Sequence, residues 1–431
     1  MKRFESRVEI LGIIFLIFVI MISIGLHELG HLAPAKKFGV KVTQYMIGFG
    51  PTIWSKTKGD TEYGIKAIPL GGYIRMIGMI PPPKDGRVAK GPFAEVVNTA
   101  RQQSLEEIGP GDENQVFYKL SVPKKLTVMI GGPFMNLILA FVFFAISFSA
   151  IGFPAATNQI KQVINCLPSD VDVLGDCLAG TTPSPALSAG LQANDTIISF
   201  AGEEISNWED LARAIQSSGE ETVAISVLRN DEIVKLNADI VKVAGPQSVS
   251  DQTESKASSY LGIAPEIVME RQPMTSVFAT LGEITVGTGK VLWNLPDRVG
   301  QLFGAAFLGE ERDREGLVGI IGVTRVGGEI AAAEIPVIWR VGTLLNLAGG
   351  LNMALFLFNL LPLLPLDGGH VAGAIYEGIR RQFAKLRSKP DPGPADTSKM
   401  LPFAYSMAIL LIGLSMLLLY VDVVNPIRLG G

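Results

Sequence analysis

His27 and His31 lie four residues apart in the run Gly25-Leu26-His27-Glu28-Leu29-Gly30-His31. On a helix that spacing puts both imidazoles on one face, within reach of one cation. Glu28 falls one step round, beside such a cation but free of it. This H-E-x-x-H arrangement combines two zinc ligands with a general base. The chain has 431 residues and three histidines, two of them here. The run closes an apolar stretch that opens at Ile10 and carries no charge to Leu26. Ionisable residues at membrane depth are expensive and mark function by default. A plainer reading is a histidine cluster where a helix end meets lipid headgroups.

A second group is Asn359-Leu360-Leu361-Pro362-Leu363-Leu364-Pro365-Leu366-Asp367-Gly368-Gly369-His370. A carboxylate at the end of a span usually marks only the interface. Here two prolines break the helix and two glycines free the backbone, so Asp367 can turn inward. Two histidines and one carboxylate, with a fourth position for water, form a catalytic zinc set.

These residues need a membrane scaffold. Charged residues make up 18% of the chain, against about a quarter in soluble domains, and the net charge is −4. No basic field points to nucleic acid. We expect an α-helical membrane protein with about four transmembrane helices, a membrane-associated β region and an extracytoplasmic α+β domain. The spans are expected at 8–35, 126–152, 341–366 and 401–422, each near the ~20 residues that cross a bilayer. The first resembles a signal peptide in position only: it lacks a small-residue cleavage site and carries the histidines, so it is read as retained.

Lys36 to Lys125 holds fourteen Lys and Arg residues and Asp367 to Met400 holds six, whereas the C-terminal tail has only Arg428. Positive-inside reasoning places the loops 80–125 and 367–400 in the cytoplasm, and both termini and the stretch from Asn158 to Arg340 outside. Spans one and three then both run inward, and His31 and Asp367 sit at similar depth near the cytoplasmic side. Cys166 and Cys177 share the outside segment, where a disulfide can persist. So short a closed loop is worth about 3 kcal/mol in the chain-entropy model.

Glycines punctuate the β region at 40–79, where Thr61 to Ile68 alternates as a strand. Ile65, Gly71, Gly72, Tyr73, Ile74 and Arg75 follow the histidine helix closely enough to present an extended substrate strand to a metal. Pro81 to Gly111 reads as a polar loop. Residues 266–340 read as amphipathic helices on the membrane surface, notably Val277 to Leu302.

In 158–265, Ala189-Gly190-Leu191, Asp195 and Ile197 precede a helix near Trp208 to Gln216 and two strands. This resembles a PDZ domain, a module that binds extended peptides at a sheet edge. Ser248 to Ser259 reads as a polar excursion at its end.

The histidine run, the PDZ-like unit and the Asn359–Gly369 motif together resemble the site-2 protease family of intramembrane zinc metalloproteases. Gly71-Gly72-Tyr73-Ile74-Arg75-Met76 and Gly132-Pro133-Phe134-Met135-Asn136 resemble its bacterial branch, typified by the regulator-of-sigma-E protease. Gly131 stands where that pattern more usually has Ala. The resemblance implies Zn2+ held by His27, His31 and Asp367, Glu28 as base, and a structural or oxyanion role for Asn359. It leaves His370 behind the ligands or at the interface. It implies single-span substrates such as anti-sigma factors, cut first by another protease, or signal-peptide remnants, all met among membrane lipids. Two rival readings are a catalytically silent scaffold acting through the PDZ-like unit, which has no need of Glu28, and a zinc transporter or sensor, which should offer more than one ligand cluster.

Overall fold

The uncharged run from Ile10 forms the middle of one long helix, α1 (Lys2–Lys37), with the two histidines toward its C-terminal end. The structure is a computed structural model that describes residues 2–83, 93–168, 177–178, 180–244, 257–310, 312–313 and 316–426. The chain divides into two units, one made of Met1–Ile151 with Gln272–Gly431 and the other of Gly152–Arg271.

In the first unit, α1 is followed by strands β1 (Val42–Lys58) and β2 (Thr61–Met76). Then come α2 (Ala94–Glu106) and α3 (Val122–Ala145), which widens into a π-helical stretch over Ile146–Ile151. The unit resumes with α6 (Met274–Trp293), α7 (Leu295–Phe307), α8 (Ile320–Ala332), α9 (Val337–Asn359), α10 (Asp367–Leu386) and α11 (Leu401–Val424). Among the described residues four helices are long and apolar enough to cross a bilayer: Arg7–Lys37, Val122–Ile151, Val337–Asn359 and Leu401–Val424.

Three differences from the sequence reading have local causes. The third long helix stops at Asn359, not Leu366, because Pro362 and Pro365 cannot donate to a continuing helix. Asp367 therefore opens α10 instead of closing a span. Part of the expected loop at Pro81 to Gly111 is the helix α2, which buries Val97 and Arg101; residues 84–92 of that loop lie outside the described residues. The helical stretch at Val277 to Leu302 is two helices, divided at Asn294 before Pro296. Arg428 also lies outside the described residues.

The helices meet where side chains are smallest. A Cβ on Gly30 or Gly131 would fall on the backbone of the other, so α1 and α3 cross in backbone contact. Such close approach between membrane helices depends on small residues. Elsewhere this unit turns large apolar side chains outward: Phe18 is 59% exposed and Ile409 71%.

The second unit carries β3 (Phe153–Val163), the short α4 (Pro185–Ser188), β4 (Thr196–Phe200) and β5 (Glu203–Glu204). It continues with α5 (Trp208–Ser217), β6 (Thr222–Arg229), β7 (Glu232–Asp239), β8 (Val241–Ala244), β9 (Ala257–Tyr260) and β10 (Ile263–Glu270). The sheet order is β10-β3-β4-β6-β7, with β5 on β4 and β8 paired to β9. Alternation along β6 buries Ile225 and Val227, and β4, with a register shift between Ile197 and Ser199, adds Ile197 and Phe200, all against Leu211 of α5. Asn207 caps α5 by accepting from the Asp210 amide. Arg229 grips the buried Asp195 at 2.7 Å, and that carboxylate holds the guanidinium above its ordinary pKa. Cys166 and Cys177 are joined. Of the polar excursion at Ser248 to Ser259, residues 248–256 lie outside the described residues, and its end forms β9.

Candidate metal centre

One helical turn separates His27 and His31 on α1, and their rings meet edge to face with centroids 4.9 Å apart. His31 Nδ1 donates to the Val128 carbonyl of α3 at 2.7 Å. A carbonyl only accepts, so the proton sits on Nδ1 and the Nε2 lone pair is left for a metal. A side chain at position 132 would drive its Cβ into that ring, so Gly132 keeps the space His31 occupies. His27 Nδ1 is buried and has no partner among the described residues.

The third group arrives from the far side of the break in α9. Leu360 to Leu366 folds back on itself. Cβ atoms on Gly368 or Gly369 would strike the backbone of residues 360–364, so the chain can re-enter a helix here only with glycine. That turn brings Asp367 Oδ2 to 3.2 Å from His27 Nε2 and 3.3 Å from His31 Nε2. The two Nε2 atoms are 3.2 Å apart. Three neutral-or-anionic acceptors so close, with no proton required between the imidazoles, converge on one point. Tetrahedral ligands at zinc bond lengths of about 2.0–2.1 Å stand roughly 3.3 Å from each other. Among the described residues this is the one group of three His, Cys, Asp or Glu side chains able to share a metal ion.

Glu28 is buried beside these atoms and lines a cavity of about 260 Å³. His31, Asp367, His370, Gly72, Tyr73, Ile74, Met76, Met79, Met129 and Pro365 complete its walls. The backbone amide of Ile74 faces the Glu28 carboxylate. Tyr45 of β1 ties the strands to α1 by donating to the Gly25 carbonyl at 2.7 Å. Burial foremost, and the charge of Glu28, push the Tyr45 hydroxyl up to about 12, so it stays a donor.

The two strands bend so that Tyr45 lies opposite both Ile74 and Tyr63, and Met46 opposite both Tyr73 and Gly64. Residues 44–47 are thus paired on both sides, and the 72–76 segment forms an edge. The Ile74 amide points from that edge toward Glu28. Of the residues expected to present substrate, Gly72, Tyr73 and Ile74 reach the cavity. Gly71 adopts a left-handed backbone (φ +89°) against Phe49. Arg75 turns away to Glu107 at 2.6 Å, and Ile65 sits between Ile47 and Trp54. Asn359 ends α9 and is not among the lining residues.

Two supports were not legible beforehand. Val128 acts through its carbonyl, a group every residue carries. Lys125 at the start of α3 donates to Glu377 of α10 at 2.7 Å, with both side chains buried. Glu377 also accepts from the Ala395 amide at 2.9 Å and pairs with Arg381 at 3.0 Å. Arg101 of α2 pairs with Asp396 in the same segment. These contacts anchor the helix that carries Asp367 to the helix that supports His31.

Comparison with known proteins places this geometry in context. The family model described as peptidase family M50 matches residues 15–390. The zinc metalloprotease Rip1 of Mycobacterium tuberculosis is 31% identical over 428 residues, covering 97% of this chain and 98% of its own. Rip1 of Mycolicibacterium smegmatis is 31% identical over 434 residues, with the same coverage. The metalloprotease MmpA of Caulobacter vibrioides is 25% identical over 384 residues, covering 86% of this chain and 87% of its own.

Proposed function

The chain belongs to peptidase family M50, the site-2 protease family, and from that premise we propose that it cuts the membrane-spanning segments of single-span proteins. It is a zinc metalloendopeptidase of the membrane. The observation that carries the assignment of residues is the triangle of His27 Nε2, His31 Nε2 and Asp367 Oδ2, with edges of 3.2–3.3 Å, beside the buried Glu28. That donor set fits zinc in charge, atom type and spacing.

Bound there, zinc would supply a water of pKa ~7 and would polarise the carbonyl to be cut. Glu28 takes a proton from the attacking water and delivers it to the leaving amine. The Ile74 amide faces that carboxylate from the strand edge. His31 is oriented by Val128, and Asp367 by the Gly368–Gly369 turn. Of the two roles the resemblance implies for Asn359, its place at the end of α9 supports the structural one: it stands where the helix must break.

An intact substrate helix hides its carbonyls in its own hydrogen bonds, so it must open locally. The edge at 72–76, facing Glu28, supports a reading in which the opened substrate pairs there as an added strand. Lys and Arg counts support a site near the cytoplasmic face, with the Gly152–Arg271 unit outside. The sheet order and α5 of that unit support the PDZ-like reading, in which it screens substrates already shortened by another protease. The test is cleavage of a model single-span substrate in vesicles by the parent chain and by Glu28→Gln. The parent should cleave and the variant should keep its zinc while losing at least ~10²-fold in rate. Equal rates would remove Glu28 from the mechanism.

A further inference from the structure

Amide hydrolysis places a full negative charge on the former carbonyl oxygen, and a preorganised donor at that point is among the largest contributions a protein makes. The polar side chains around the cavity are few. Glu28 is the base, and His31 and Asp367 point at the metal. The Tyr73 hydroxyl donates to Gln44 Oε1 at 3.4 Å, and its ring stacks on Phe49. The Ile74 amide faces Glu28. His370 remains. It lines the cavity, three residues after Asp367 on α10 and so on the same helical face. Neither of its ring nitrogens has a hydrogen-bond partner among the described residues. Neither nitrogen is among the buried unpartnered atoms, so this imidazole, one turn from a metal ligand, is open to the cavity and free to meet a polar group that enters it.

We propose that His370 is a further catalytic residue, donating an N–H to the oxyanion of the substrate carbonyl as water adds. The inference rests on the protease reading of the same cavity. Imidazole carries an N–H in either neutral tautomer and when protonated, so the role does not depend on its charge. No bond to His370 forms or breaks: its proton stays on the ring throughout, while Glu28 alone moves protons between water and leaving amine. Asn359, the other residue for which an oxyanion role is implied, does not reach the cavity lining.

The test uses the full-length, zinc-loaded chain in vesicles with a fluorogenic transmembrane peptide, and compares His370→Ala and His370→Asn with the parent. His370→Ala should keep one zinc per chain by elemental analysis, lose ~10²–10³-fold in kcat and change KM little, as for a contact made only in the transition state. A phosphinic peptide, which mimics the tetrahedral state, should bind more weakly by a similar factor. His370→Asn keeps an N–H donor and should recover part of both losses. Loss of zinc from His370→Ala would make the ring a support for the ligands and overturn the proposal. So would parental kcat, or a rise in KM alone. If the parent cleaves with zinc and His370→Ala cleaves equally well, only this inference fails. If the parent shows no zinc-dependent cleavage, the protease reading fails with it.

Discussion

The two units bury opposite things. Gly152–Arg271 hides Phe200, Ile197, Leu211, Ile225 and Val227 completely or nearly so and turns its charges outward apart from Asp195, which Arg229 neutralises. The helical unit does the reverse. It exposes Phe18, Ile409 and Leu410, and it buries Ser23, Glu28, His31, Lys125, Asn136, Asn352 and Glu377. In water, apolar burial is the driving force, and the core reports stability. In lipid, apolar contact between helices gives no such advantage, so what is buried there reports close packing and chemistry. The same substitution type should therefore have different consequences in the two units.

The largest expected effect comes from the smallest residue. Gly132→Leu places a side chain where the His31 ring stands. Zinc should be lost almost entirely, while circular dichroism shows the helices intact. Retained zinc would mean that α3 can move away from α1 at little cost. In the water-facing unit no glycine-to-leucine change should touch the metal.

Next is the buried ion pair. Lys125→Met leaves Glu377 buried and short of its main partner, at a cost of roughly 3–5 kcal/mol. The double change with Glu377→Met should recover most of it, because the uncompensated charge is gone. Thermal unfolding in detergent, with zinc release followed in parallel, measures both. A double variant as unstable as the single would show that the pair contributes more than charge neutrality.

The smallest contrast compares two large apolar residues. Phe200→Ala should destabilise Gly152–Arg271 by roughly 3–5 kcal/mol, as core truncations do. Ile409→Ala, on the outward face of α11, should stay within about 0.5 kcal/mol. Protease protection of each unit reads the difference. Comparable losses would mean that the exposed face of α11 is covered by something other than lipid.

The sequence made some of this plain and hid the rest for physical reasons. H-E-x-x-H announced itself because helical period and ligand spacing coincide on α1. Asp367 was visible because prolines and glycines bracket a carboxylate at the end of an apolar run. The exact end of α9 was not: Pro362 and Pro365 announced a break, but Leu360 to Leu366 is as apolar as the helix before it, so hydropathy carried the span seven residues too far. The α2 helix was obscured by its polar composition. Lys125 and Glu377 stand 252 residues apart, and a one-to-one pairing over that distance leaves no local pattern. The edge at 72–76 depends on a strand that pairs on both sides, which alternation alone cannot reveal.

The central claim is that two helices separated by most of the chain's length close one zinc site, and metal stoichiometry tests it directly. Elemental analysis of the purified parent, His27→Ala, Asp367→Ala and Glu28→Gln should give one zinc per chain for the parent and for Glu28→Gln. His27→Ala and Asp367→Ala should fall well below that after dialysis against a weak chelator. Full zinc occupancy in both ligand variants would contradict the assignment of α1 and α10 as the two halves of the centre.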